Sequence, residues 1–154
     1  MPKPAAFSSD FLKLTFNATA IANLASNTAT APATNITVAL HTADPTTTAG
    51  AGTVGLQTAS EAAYAGYARV NVVRTTGGWT VTTGAAPANS SSVVPLAAIT
   101  FPQSSAAGTT ITHFSVGTGT ANYMLYSGTV TPNVAIGATG ITPQLTVATT
   151  ISET

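Results

Sequence analysis

The stretch Val38-Ala39-Leu40-His41-Thr42-Ala43-Asp44-Pro45, VALHTADP, decides how this chain is read. Ile36, Val38 and Leu40 alternate with Thr37, Ala39 and His41, the period of two that marks a strand with one apolar face. Asp44-Pro45 then ends the strand, because an aspartate ahead of proline bonds forward to backbone N–H groups and starts a turn. The same residues also bring a histidine close to a carboxylate. With His113 added, His41 and Asp44 would make a set of two imidazoles and one carboxylate, which suits a metal. Their spacing carries no metal signature, and both histidines fall inside predicted strands. A turn and two structural histidines are therefore the favoured reading, and no metal or cofactor is expected.

Working outward, the rest of the chain offers little further chemistry. Of its 154 residues only 5% are charged, against about 25% in ordinary soluble domains. Formal net charge is zero, so there is no electrostatic case for nucleic acid or an anionic membrane as partner. No apolar window approaches the ~18 residues of a spanning helix. The N-terminal MPKPAAFSSDFLKL has no apolar core of signal-peptide length. Cysteine is absent, which removes disulfides and thiol chemistry. So neutral a surface, rich in Thr and Ala, favours self-association and a working life inside an assembly.

The length suggests one domain. Pro2 and Pro4 around Lys3 predict an extended arm over residues 1–8. Ser8 and Ser9 are good N-caps, and Phe7, Phe11, Leu14, Ala18, Ile21, Ala22 and Ala25 then recur at helical spacing. This predicts a helix over about residues 9–25 with that face buried. Residues 26–35 read as a polar connector.

From there the period is two, and about eight strands follow. They are Ile36–Leu40, Tyr67–Arg74, Trp79–Thr83 after a hairpin turn at Gly77-Gly78, Ser92–Phe101 with Pro95 marking an edge or bulge, Ile111–Val116, Tyr123–Thr129, Val134–Ile136 and Ile141–Ser152. The expected fold is mainly β: residues 9–154 form a single antiparallel β-sandwich or jelly-roll-like domain that includes the N-terminal helix. The loop 45–60 is long and Gly/Thr-rich, either mobile or ordered by a neighbouring subunit.

Catalytic constellations are missing. There is no G-x-S-x-G elbow, and the few carboxylates are too scattered to pair as acid and base. Gly117-Thr118-Gly119 lacks the further glycine and the following helix of a nucleotide loop. The tyrosines and Trp79 are spread over several strands, which favours core packing over a sugar platform. Arg69 and Arg74 lie five apart on one predicted strand, hence on opposite faces. In so uncharged a chain a sheet-borne arginine calls for a partner, and Glu61 is the nearest, with an intersubunit carboxylate as the other choice.

The order of motifs is informative where each alone is weak. An amphipathic helix, VALHTADP, a Gly/Thr loop, EAAYAGYARV, AAITFP, ITHFSVG, MLYSGTV and a terminal alternating strand resemble, from about residue 9 to residue 151, a family of small structural proteins of tailed bacteriophages. The resemblance implies a virion component, either a capsid decoration (cement) protein or a tail-fibre-like protein, and it brings no catalytic or cofactor residues. The loop before Glu61 is longer and less polar than that pattern.

The leading expectation is a non-enzymatic decoration protein on the outer capsid surface. It would bind the major capsid protein and itself, as a homotrimer, and stabilise the shell against DNA pressure by contacting several subunits at once. A tail or tail-fibre component, including an adhesin, is the alternative, and a secreted carbohydrate-binding sandwich comes third. Pro2, Lys3, Pro4, Thr47, Gly50, Gly52 and Thr53 are the expected assembly contacts, on segments with no core of their own. Phe11, Leu14, Ile21, His41, Asp44, Arg69 and His113 are the expected structural residues.

Overall fold

The computed structural model describes residues 4–21, 24–25, 32–47, 56–84, 90–119 and 122–153. Among the described residues it is mainly β, as the periodicity predicts, with antiparallel sheets, one N-terminal helix and nine strands where about eight are expected. The elements are α1 (Ala5–Asn17), β1 (Asn35–His41), β2 (Val70–Val73), β3 (Trp79–Thr82), β4 (Ser91–Pro95), β5 (Ile99–Thr100), β6 (Thr110–Gly117), β7 (Met124–Ala135), β8 (Gln144–Leu145) and β9 (Ile151–Glu153). They form a four-stranded sheet in the order β2-β1-β6-β7, a three-stranded sheet β3-β4-β9 and a two-stranded ladder β5-β8. The residues cluster into two compact units, each assembled from separate segments.

The first unit comprises residues 1–34, 73–98 and 145–154. Here α1 packs on β3, β4 and β9. The helix starts earlier and stops earlier than the expected 9–25. Pro4, with φ −60° and ψ 144°, is its N-cap, and the good helix formers Ala5 and Ala6 follow. The arm expected over residues 1–8 therefore yields residues 5–8 to the helix, and Pro2 and Lys3 lie outside the described residues.

The helix ends where Ala18 turns left-handed at φ 54° and Thr19 N–H donates to the Lys13 carbonyl. Arg74 completes that end. Its Nε donates to the Thr15 carbonyl, its Nη2 to that of Leu14 and its Nη1 to that of Ala33. A cation placed on the last carbonyls satisfies acceptors the helix leaves open and offsets the negative end of its dipole.

The helix face is also displaced from the expected stripe. Ser8, Ser9, Leu12 and Phe16 are fully buried, while Phe7 and Phe11 are 38% and 39% exposed. Small serines let the helix come close to β3, and just past that strand Thr83 donates to the Ser9 hydroxyl at 2.7 Å. Phe16 meets Trp79 edge-on, ring centroids 5.0 Å apart, and these two rings with Leu12, Val93 and Ile151 make the apolar core of this unit. Leu14 is half-buried. Ile21 is half-buried too and exchanges backbone bonds with Ala25.

The Gly77-Gly78 turn is not a hairpin. Thr75 accepts from the N–H groups of Gly78 and Trp79, but the turn joins β2 and β3, which belong to different sheets. Pro95 avoids costing a ladder bond by ending β4, opposite Trp79, beyond the β4–β9 pairing that stops at Val93.

The second unit comprises residues 35–72 and 99–144. Here β1 pairs β6 from Thr37↔Gly117 to His41↔His113, and β6 pairs β7 with register shifts on both sides of its centre. Instead of alternating, β1 is buried on both faces from Ile36 to His41. Ile36, Val38, Leu40, Ile111, Phe114, Val116, Phe101 and Ile136 are its main buried apolar side chains, and Tyr67 stacks on Phe101 and meets Tyr64 edge-on.

Phe16→Ala removes a buried ring and is expected to cost about 3–5 kcal/mol, whereas Phe11→Ala, at an exposed site, is expected to cost less than about 1 kcal/mol. Urea melts of the two variants beside the parent chain measure the difference. Equal losses would mean that the helix is seated on the Phe7/Phe11 side.

Candidate functional site

The polar groups of the second unit converge on the segment that returns from the Gly/Thr loop. The loop's residues 48–55, with Gly50, Gly52 and Thr53, lie outside the described residues. Its start is the expected turn: the Asp44 carboxylate accepts from Thr46 N–H at 2.9 Å and from the Thr46 hydroxyl at 2.7 Å. These bonds, the hydroxyl's first, hold the Asp44 carboxyl below the usual carboxylate range. Thr47, exposed, bonds back to the Asp44 carbonyl.

Residues 56–62, by contrast, are bound into the sheet. Leu56 bridges Tyr123, Gln57 N–H donates to the Asn122 carbonyl, Glu61 bridges His41, and Ala62 N–H donates to the Leu40 carbonyl. Ser60 and Asn122 hold positive φ, 49° and 57°, a conformation non-glycine residues rarely keep without support.

That support comes from two groups of side chains. In the first, His41 is fully buried, with Nδ1 2.9 Å from the Ala59 carbonyl and Nε2 2.8 Å from Ser115 Oγ. A carbonyl only accepts, so Nδ1 carries the proton, and Ser115 donates to Nε2. Gln57 Nε2 donates both to Ser115 Oγ and to the Thr37 carbonyl. Gly117 lets Gln57 in: a Cβ there would stand 2.5 Å from the Gln57 amide and 2.4 Å from the Tyr123 carbonyl.

In the second group, Arg69 grips Glu61 with both arms, Nε–Oε1 2.6 Å and Nη2–Oε2 2.7 Å, and its Nη1 donates to Asn122 Oδ1 at 2.8 Å. Tyr67 OH donates to Glu61 Oε1 and accepts from Leu40 N–H. Arg69 thus ties together the segments at both ends of residues 56–62. Glu61 is the partner the sequence suggested for it.

Chemically, the Ser115–His41 pair has the distances of a nucleophile and its base. Both side chains are fully buried, however, and the imidazole is oriented by a backbone carbonyl rather than a carboxylate. As placed, the pair holds a strand, and neither side chain reaches the surface. His113 lies across from His41 in the ladder with its Nδ1 2.9 Å from the Thr112 hydroxyl, and among the described residues no three His, Asp or Glu gather as metal ligands. Of the sequence candidates, His41 and Arg69 belong to these groups, and His113 and Asp44 flank them. Phe11, Leu14, Ile21 and Pro4 belong to the other unit. Gln57, Ser115, Tyr67 and Asn122 were missed. Neutral side chains give no pattern in a sequence, and only the scarcity of charge pointed to Arg69.

Burial lowers the His41 pKa from its ordinary value near 6.5. The unfolded chain then binds a proton that the folded chain refuses, so His41 makes stability fall as pH drops below about 6.5. Chemical melts between neutral and mildly acidic pH are expected to show this loss, and His41→Gln is expected to flatten it at the expense of stability at neutral pH. Arg69→Ala leaves the half-buried Glu61 carboxylate without its counter-ion and is expected to cost about 2 kcal/mol, read from the same melts at neutral pH.

Comparison with known proteins gives a family match. No curated protein and no solved structure matches the chain. Among the described residues no helix is long and apolar enough to cross a membrane. The family model described as podophage GP4 fiber I protein gp80, a phage virion structural family, matches residues 14–151. The match covers α1 from Leu14, the polar groups around Arg69 and His41, and the chain as far as Ile151 at the start of β9, and by it this chain belongs to the podophage GP4 fiber I protein gp80 family.

Proposed function

We propose that the chain is a non-enzymatic subunit of a podophage virion fibre and that it works as a homo-oligomer. The observation that carries this reading is the family match over residues 14–151, whose description names a fibre protein. The chemistry agrees with it. The polar clusters are consumed in holding the second unit together, and a zero net charge removes the long-range repulsion between copies that packing many subunits side by side would otherwise incur.

The leading expectation from sequence, decoration of the outer capsid surface by contact with the major capsid protein, now ranks second. The resemblance allowed either placement, and the family's description speaks for the fibre. A role in the virion is common to both readings.

Gold-labelled antibody against the chain, applied to purified virions, is expected to mark appendages and leave the capsid faces bare. Quantitative protein analysis of the same particles is expected to give a copy number that is a small multiple of the tail symmetry. Labelling spread evenly over the capsid, with a copy number that scales with the shell subunits, would restore the decoration reading.

A further inference from the structure

We propose that Ser115 and Gln57 are joined by an ester bond, formed once in each folded copy with loss of ammonia, His41 serving as the base. The inference concerns chemistry inside one copy and is independent of the fibre reading.

Three observations lead to it. First, a serine and its base are arranged to react with whatever is buried beside them. Ser115 Oγ donates to His41 Nε2 at 2.8 Å, and the Ala59 carbonyl holds the proton of His41 on Nδ1. That tautomer leaves Nε2 free to accept. Burial keeps the imidazole neutral at neutral pH, the form that takes up a proton.

Second, the group buried beside them is an acyl group. Gln57 Nε2 lies 3.2 Å from Ser115 Oγ, and the amide carbon is one bond further on. A small turn of the amide presents that carbon to the oxygen. Ser115, His41 and Gln57 are all 0% exposed. Gly117 makes the room, because a Cβ there would stand 2.5 Å from both the carbon and the oxygen of the amide.

Third, the amide is poorly matched to its place. Among the described residues Gln57 Oε1 is buried with no hydrogen-bond partner. An amide oxygen in that position is costly, and an ester carbonyl, a weaker acceptor, costs less. Conversion gives up the bond from Gln57 Nε2 to the Thr37 carbonyl. The same missing donor leaves the addition without an oxyanion hole. The step is therefore slow, which a reaction performed once per copy tolerates.

The atoms balance without an oxidant or a co-reactant. Ser115 Oγ adds to the Gln57 carbonyl carbon as its proton passes to His41 Nε2. The imidazolium returns that proton to the amide nitrogen, the C–N bond breaks and ammonia leaves. Placement within one fold replaces collision, and dilution of ammonia into solvent draws the reaction forward. Exclusion of water protects the ester from hydrolysis. The product links positions 58 apart and fixes the segment 56–62 to β6, in a chain with no cysteine for a disulfide.

The test uses the full chain, denatured before measurement. Its intact mass is expected to fall short of the sequence mass by one ammonia. Lysine and arginine stand only at positions 3, 13, 69 and 74, so trypsin separates residues 14–69 from 75–154. In the wild type these two pieces are expected to stay joined until hydroxylamine cuts the ester. Tandem mass spectrometry is expected to place the link at residues 57 and 115.

Ser115→Ala is expected to keep its full mass and give separate pieces. Gln57→Leu, which keeps the side-chain shape without the amide, and His41→Gln are expected to do the same. Circular dichroism checks that each variant is folded, and the mapping of the wild type stands without them. A folded wild-type chain that keeps its full mass and separates on digestion overturns the inference. So does a loss of ammonia that persists in Ser115→Ala or maps to an asparagine within one piece. A His41→Gln chain that cross-links as fully as the wild type overturns the role of His41 as base.

Discussion

The second unit depends on a guanidinium held between a carboxylate and an amide. Arg69 reaches Glu61 with two hydrogen bonds and Asn122 with a third, and the backbone at both places carries the segment 56–62 against β1 and beside Tyr123. In a chain with four basic and four acidic side chains, such a pair cannot be replaced by neighbours. Charge is used here for geometry. A planar fork on a carboxylate fixes angle as well as distance, which a lone ammonium does not.

With the clasp in place, the neutral groups beneath it become possible. His41, Ser115 and Gln57 are wholly buried, and such groups are tolerated only when their donors and acceptors are met. Ser115 receives from Gln57 and gives to His41, which gives to Ala59, so most of the cluster is satisfied in one direction. Among the described residues Gln57 Oε1 has no hydrogen-bond partner, at the place where Gly117 is already as small as a residue can be. The site is finished by packing rather than by a further hydrogen bond.

Much of this fold was legible in the sequence, and the failures have physical causes. Period two located β1, β3 and β6 because alternation is a local property. The hairpin expected at Gly77-Gly78 failed because a turn is local, while the sheet a strand joins is decided far away in the chain. The helix face was misplaced because Phe7 and Phe11 look like a buried stripe, whereas Ser8 and Ser9 count as polar yet are small enough to sit against a strand. The strands expected at Tyr123–Thr129 and Val134–Ile136 are one irregular strand, since Pro132 interrupts a pattern without ending the pairing. Of the site, the Arg69–Glu61 pair was legible through scarcity, and Gln57 was not, because a neutral amide in a Gly/Thr loop resembles its surroundings.

The β4–β9 pairing carries a consequence for how the protein is made. During synthesis α1, β3 and β4 emerge early, with Leu12, Phe16, Trp79 and Val93 ready to pack. Ile151, which completes that core and sits across from Val93, leaves the ribosome last among them. The unit can assemble most of its layers but cannot close until residues 151–153 are free, and until then its apolar face stays open to chaperones and proteases. A chain broken off before that point keeps an open face.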